Sequence, residues 1–270
     1  MSSPTRHNRA KLNHLLNRWP EGAVATYGWL AQQGISRQLA STYKRSNWIV
    51  TVGNGAFART GEKIDWTGGL YAVQQELGCT IHVAAKTALA QQGYAHFLPL
   101  GEGSPIWLLG QPGERLPTWF HRAPWGKRVQ YSTAALWPDK VQGTLGMTER
   151  TVSRLNLRVA TAERAMFEVL HFVPQRQSFE EARLLMEGLF SLRPRLVQSL
   201  LEACAFVKVK RLFLALAESC GHSWLTKLDL PKVTLGAGKR ALVSGGRLHP
   251  KYQITVPAEF LSGSKPGETP

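Results

Sequence analysis

The chain has 270 residues, 43 % of them hydrophobic and only 19 % charged, with 9 Trp, 10 Phe and 6 Tyr. That is enough apolar material for one or two packed domains, and it excludes a disordered polyelectrolyte. The charge is one-sided, 33 Lys and Arg against 18 Asp and Glu for a net +15, which points to an anionic partner, nucleic acid or a membrane surface.

The first 60 residues carry much of that excess: Arg6, Arg9, Lys11, Arg18, Arg37, Lys44, Arg45 and Arg59 against Glu21 alone. The start is basic but has no apolar h-region, so no secretory signal is expected. Residues 10–19 hold Leu12, Leu15, Leu16 and Trp19 at i, i+3, i+4, i+7, one stripe of an amphipathic helix, ended by Pro20-Glu21-Gly22. Ala23-Val24-Ala25 reads as a short strand. Thr26 caps a second helix through Gln33, and Gly34 stops it. Ser36 caps a third helix to about Asn47. Trp48-Ile49-Val50-Thr51-Val52 is strand-like, Gly53-Asn54-Gly55 turns, and Ala56-Phe57-Ala58-Arg59 returns. This order is the winged helix-turn-helix plan. In the third helix Ile35, Leu39 and Tyr43 pack inward, leaving a polar face outward. Arg37, Gln38 and Ser41 are the candidates for base contact, since Arg pairs bidentately with guanine and Gln with adenine. Ser36, Lys44, Arg45 and, on the wing, Arg59 are the candidates for phosphate contact.

Residues 60–63 read as a linker, so the expected domains are 1–61, a winged helix-turn-helix, and 62–270. The second is a mixture of helices (from Thr67, over 84–94, over 161–172, from Ser178 with its capping box, from Pro194 and through 206–221) and strands. The strands are expected at 80–83, 106–109, 129–131, 155–159, 233–235 and 252–256. The fold class is therefore α+β, with a larger mixed α/β C-terminal domain. Charge gathers again late in the chain, at Lys208, Lys210, Arg211, Lys239, Arg240, Arg247 and Lys251, a candidate second anion-binding face.

Enzyme chemistry finds little support. Gly236-Ala237-Gly238-Lys239 resembles the end of a phosphate-binding loop, but position 233 is Val and position 240 is Arg, so the pattern fails. Gly101 and Gly103 lack the context of a dinucleotide site. Glu163 and Glu168 do not share a helix face, and Glu180 and Glu181 belong to a helix start. The eight His, His96 among them, are scattered, and the three cysteines, Cys79, Cys204 and Cys220, lack metal-ligand spacing and fit a reducing cytosol. No catalytic residue, cofactor, metal or transmembrane span is expected.

Several longer phrases resemble the AbiEi antitoxin family of type IV toxin–antitoxin systems: GISRQLASTYKRSNWIVTVGNGAFAR, HVAAKTALAQQGYAHFL, VATAERAMFEVL, SFEEARLLMEGLFSLRP, LLEACAFVKVKRLFLALAE and LGAGKRALVSGGRLHPKYQITVP. The resemblance implies a cytoplasmic protein with an N-terminal winged helix and a larger C-terminal domain needed for antitoxicity. It implies repression of the protein's own operon through inverted repeats in double-stranded promoter DNA. It also implies antagonism of a cognate nucleotidyltransferase toxin without a stable complex. The rival expectations are a protein-interaction module that sequesters a toxin directly, and a nuclease-derived enzyme.

Overall fold

Helix α1 spans Arg6–Arg18. Its buried Leu12 and Leu15 join Trp19 in a cluster with Leu30, Ile35, Tyr43, Ile49 and Phe57. The Trp19 indole N–H donates to Ala23 O at 2.9 Å, closing the turn that follows. Strand β1 is Ala25–Thr26. The Thr26 hydroxyl accepts from Trp29 N and caps α2, Tyr27–Gln32. Gly34, at φ +75°, then reverses the chain where a side chain would be strained. The Ser36 hydroxyl accepts from Leu39 N at 3.2 Å and opens α3, Arg37–Arg45. Strands β2 (Ile49–Gly53) and β3 (Ala56–Arg59) form an antiparallel hairpin, with β1 on the other side of β3. The computed structural model describes residues 6–94, 104–242, 245–258 and 260. Gly101, Gly103 and His96 lie outside the described residues.

Beyond the hairpin come α4 (Trp66–Gln75), β4 (His82–Val83), α5 (Ala85–Ala90), β5 (Ile106–Gly110) and α6 (Thr118–Arg122). Then follow β6 (Val129–Thr133), α7 (Asp139–Gln142), β7 (Met147–Val152), β8 (Leu155–Ala160) and α8 (Ala162–His171). The chain continues through α9 (Phe179–Glu187), α10 (Pro194–Ala203), α11 (Val207–Ser219), β9 (Arg240–Ala241), β10 (Arg247–Leu248) and β11 (Ile254–Val256). The fold is mixed α/β, as expected. Strands β7, β9 and β10 and helices α6 and α7 are additions to the expected set. The strand expected at 233–235 is irregular backbone instead, because Leu235 turns its carbonyl to Arg211 rather than to a neighbouring strand.

The chain divides into two compact units, Met1–Val83 with Gly103–Thr133 and Glu149–Val159, and Ala84–Glu102 with Ala134–Thr148 and Ala160–Pro270. In the first unit α4 follows the hairpin directly. A Cβ at Gly68 would lie 2.0 Å from Gly22 O, and one at Gly69 would lie 2.8 Å from Phe120 and Trp125. The backbones approach that closely only because both residues lack a side chain. Val24 N donates to Gly68 O, and Thr26 N donates to the Glu76 carboxylate at 2.7 Å. A five-stranded sheet in the order β6-β5-β4-β8-β7 supports this arrangement. Leu155 of β8 is buried in the same apolar cluster as α1 and α3.

The second unit is built around α8, whose Met166, Phe167, Val169 and Leu170 are buried. Phe167 stacks on Phe213 of α11 at 4.4 Å. The helix also buries Arg164 and Glu168 as an ion pair at 2.8 Å. Arg164 donates further to the carbonyls of Gln142 and Leu145, and Glu168 accepts from Ala85 N. A buried pair satisfied this way fixes geometry more than it adds stability. The strands of this unit run in the order β10-β11-β9.

Candidate nucleic-acid interface

Helix α3 buries Ala40 and Tyr43, with Leu39 half-buried against the cluster. The inward stripe is therefore Ile35, Ala40 and Tyr43 with Leu39 at its margin, a small shift from the expected set. Ser36, Arg37, Gln38, Ser41, Lys44 and Arg45 are all exposed. Positions 37, 38, 41, 44 and 45 recur at i, i+1, i+4, i+7, i+8, one face of a helix. No acid lies in the helix. The Arg37 guanidinium sits 5.4 Å over the Tyr27 ring, and Tyr27 meets Phe57 edge-on at 4.7 Å. Stacking of this kind steadies the cation while leaving the in-plane N–H groups available. Arg45 reaches Thr42 Oγ1 at 3.4 Å. The hydroxyl of Ser36 is already the acceptor that caps the helix.

The hairpin turns at Asn54-Gly55, with Gly55 at φ +77°. Tyr27 N donates to Gly55 O at 3.0 Å, tying the turn to the start of α2. Arg59 is not near this tip. It pairs across the hairpin with Ile49, at the base. Its side chain contacts Glu62 at 2.6 Å and donates to Leu16 O. A phosphate contact by Arg59, expected on the wing, would have to compete with that ion pair.

A basic element that sequence reasoning passed over lies against the hairpin. A Cβ at Gly53 would come 2.6 Å from Trp119 Cβ, so α6 presses directly on the end of β2. Arg122 of that helix is exposed, as are Arg115, Lys127 and Arg128 around it. The one acid of this stretch, Glu114, is turned inward. It accepts from the Thr80 amide and hydroxyl and from Gln111 N. The run HRAPWGKR carried the signal, but it lies between elements that have little periodicity.

The second unit divides the late cations differently from the expected surface. Lys239, Arg240, Arg247 and Lys251 are exposed, Lys251 in an ion pair with Glu218 at 2.6 Å. Lys208 is half-buried and donates to Val173 O; burial pulls its pKa down. Lys210 and Arg211 are 5 % and 3 % exposed and do not belong to a surface. They lie on the inner side of α11, a helix with buried residues all round. The four hydrogen bonds that Arg211 donates all go to backbone carbonyls.

The acids weighed for catalysis are each engaged. Glu163 accepts from the Arg193 guanidinium and backbone N–H. Burial pushes its pKa up, but those bonds outweigh it and hold the carboxyl below its usual value. Among the described residues no group of three or more His, Cys, Asp or Glu could hold a metal ion. No helix among them is long and apolar enough to cross a membrane.

Comparison with known proteins gives two family matches. Residues 8–100 match the N-terminal domain of the AbiEi antitoxin transcriptional regulator, and residues 104–257 match the AbiEi antitoxin transcriptional regulator of the type IV toxin–antitoxin system. No curated protein matches the chain. Among solved structures, the crystal structure of the RV2827C protein from Mycobacterium tuberculosis is similar in fold. It has 16 % identity and a TM-score of 0.58 over 94 % of this chain and 92 % of that one. With an exposed, acid-free basic helix, a hairpin braced beside it and family matches over nearly its whole length, the chain belongs to the AbiEi antitoxin family of transcriptional regulators of type IV toxin–antitoxin systems.

Proposed function

We propose that residues 1–61 act as a winged helix-turn-helix that binds double-stranded promoter DNA at inverted repeats, and that the protein represses its own operon. In this reading α3 enters the major groove. Arg37, Gln38 and Ser41 contact base edges, and Ser36, Lys44 and Arg45 contact phosphates. The observation that carries the reading is the outer face of α3, where five polar or cationic side chains stand together with no acid between them. The exposed Arg115, Arg122, Lys127 and Arg128 beside the wing extend the same positive footprint. Residues 62–270 serve as the antitoxin domain in the cytoplasm. They oppose a nucleotidyltransferase toxin functionally and without a stable complex.

The test is a gel-shift titration on the protein's own promoter at several salt concentrations. Arg37→Ala is expected to cost about 1–3 kcal/mol and to relax sequence preference. Lys44→Ala is expected to weaken binding to every sequence alike and to lower the salt slope by about 1. Absence of binding by the wild type at low salt overturns the proposal.

A second reading rests on Trp48, just before the edge strand β2, and Val50 within it, which are 45 % and 39 % exposed. Such a surface suits a protein partner better than a phosphate backbone. It supports direct sequestration of a toxin, and co-purification of a stoichiometric complex is its test.

A further inference from the structure

The loop Leu235-Gly236-Ala237-Gly238-Lys239 is wrapped around one buried cation. Arg211 Nε donates to Leu235 O at 2.8 Å, Nη2 to Gly236 O at 2.9 Å, and Nη1 to Gly238 O at 2.6 Å and Gln253 O at 3.0 Å. In a trans peptide the C=O of one residue and the N–H of the next point in opposite directions. Three carbonyls drawn inward therefore turn three amides outward, those of Gly236, Ala237 and Lys239. None of the three has a hydrogen-bond partner among the described residues, and residues 236–240 are exposed. The small side chains leave the amides uncovered. Gly236 and Gly238 hold φ of +63° and +75° on either side of Ala237, the kind of turn whose successive N–H groups form an anion-binding concavity.

Charge acts in the same direction. The guanidinium sits at the negative ends of these peptide dipoles, so their positive ends face solvent. The exposed Lys239 and Arg240 flank the loop. A Cβ at Gly238 would lie 3.6 Å from the Arg240 guanidinium, which bends back over the glycine. The stretch 230–258 contains no Asp or Glu, and Asp229 before it is held by Lys232 at 2.6 Å. The failed match to a nucleotide-binding loop is explained too: β9, not a helix, follows Lys239, so any anion is held by the loop itself and not by a helix terminus.

We propose that the Arg211-centred loop 235–240 is an oxyanion site, holding a single phosphate group on the amides of Gly236, Ala237 and Lys239 with Lys239 and Arg240 as counter-charges. The phosphate belongs either to a nucleic-acid backbone or to a free nucleotide. The site does not depend on α3 contacting DNA.

The experiment follows the amide resonances of the full-length, isotope-labelled protein during titration with inorganic phosphate at constant ionic strength. Saturable movement of the Gly236, Ala237 and Lys239 amides is expected, absent with chloride. The double variant Lys239→Ala, Arg240→Ala should weaken phosphate binding about tenfold or more, since it removes two charge-assisted hydrogen-bond donors. Both residues are exposed, so unmoved resonances elsewhere confirm that the variant is folded. Competition then separates the sources. Displacement at lower concentration by a random-sequence duplex assigns a nucleic-acid phosphate, and displacement by a nucleoside triphosphate assigns a free nucleotide. No saturable movement of these amides with phosphate overturns the proposal, whatever the gel-shift on the promoter shows.

Discussion

Replacing Glu76 by Gln should make the first unit more stable in neutral and alkaline solution and leave it unchanged in acid. Glu76 accepts the N–H of Thr26, the residue that caps α2. Burial is the larger influence and raises its pKa from 4.5 to about 7, against the opposing pull of the Thr26 hydrogen bonds. The folded state thus holds the proton more tightly than the unfolded chain does. The stabilisation is fully present below pH 4.5 and is lost as pH rises through about 7. The shift from 4.5 to about 7 corresponds to a ceiling of about 3 kcal/mol, at roughly 1.4 kcal/mol per unit. Gln cannot ionise, yet its amide oxygen still accepts from Thr26. The two proteins should therefore differ little near pH 4.5. They should separate progressively to a plateau above about pH 8, worth several degrees in Tm. Thermal melting of both proteins across that range is the assay. A difference in stability that stays constant from pH 4.5 to 8.5 would refute the assignment of burial as the dominant cause.

Two further outcomes concern the hairpin and its flank. Gly53→Ala would put a methyl group 2.6 Å from Trp119 Cβ and 3.1 Å from its Cα. It should lower stability by about 1–3 kcal/mol and weaken promoter binding with it, as melting and gel-shift together would record. An unchanged melting curve would show that α6 does not bear on the hairpin. The triple variant Arg122→Ala, Lys127→Ala, Arg128→Ala should lower the salt slope of DNA binding by about 2 to 3, at roughly 0.9 for each phosphate no longer neutralised. An unaltered slope would confine the footprint to α3 and the hairpin.

The helix starts were readable because their signals are local. Ser36, Thr26 and Ser178 cap helices through their own hydroxyls, to amides three residues on. The full capping box at Ser178 does not form. Glu181 is taken instead by Lys86 and by Gln177, the first of which is far away in sequence. The same limit explains the misplaced cations. Arg211 looks exposed when judged by its charge alone, and only its distant partners, Leu235 to Gln253, show why it is buried. The strand expected at 233–235 fails for a related reason, since its Val233 amide is taken by Leu230 O and its Leu235 carbonyl by that guanidinium. Helix α6 is short and has no periodicity to detect, and its place beside the hairpin depends on the absence of a side chain at Gly53.

The adjacent glycines of α4 bear on how portable the N-terminal segment is. Each sits inside a helix, where glycine costs about 1 kcal/mol relative to alanine. Gly68 gives Gly22 room to approach, and Gly69 gives room to the rings of Phe120 and Trp125. Grafting residues 1–61 onto another regulator would leave this fitted seat behind, together with the Glu76 carboxylate that receives Thr26. A chimera intended to carry α3 elsewhere should therefore include α4, Glu76 and the segment bearing Phe120 and Trp125, with small residues kept at both glycine positions.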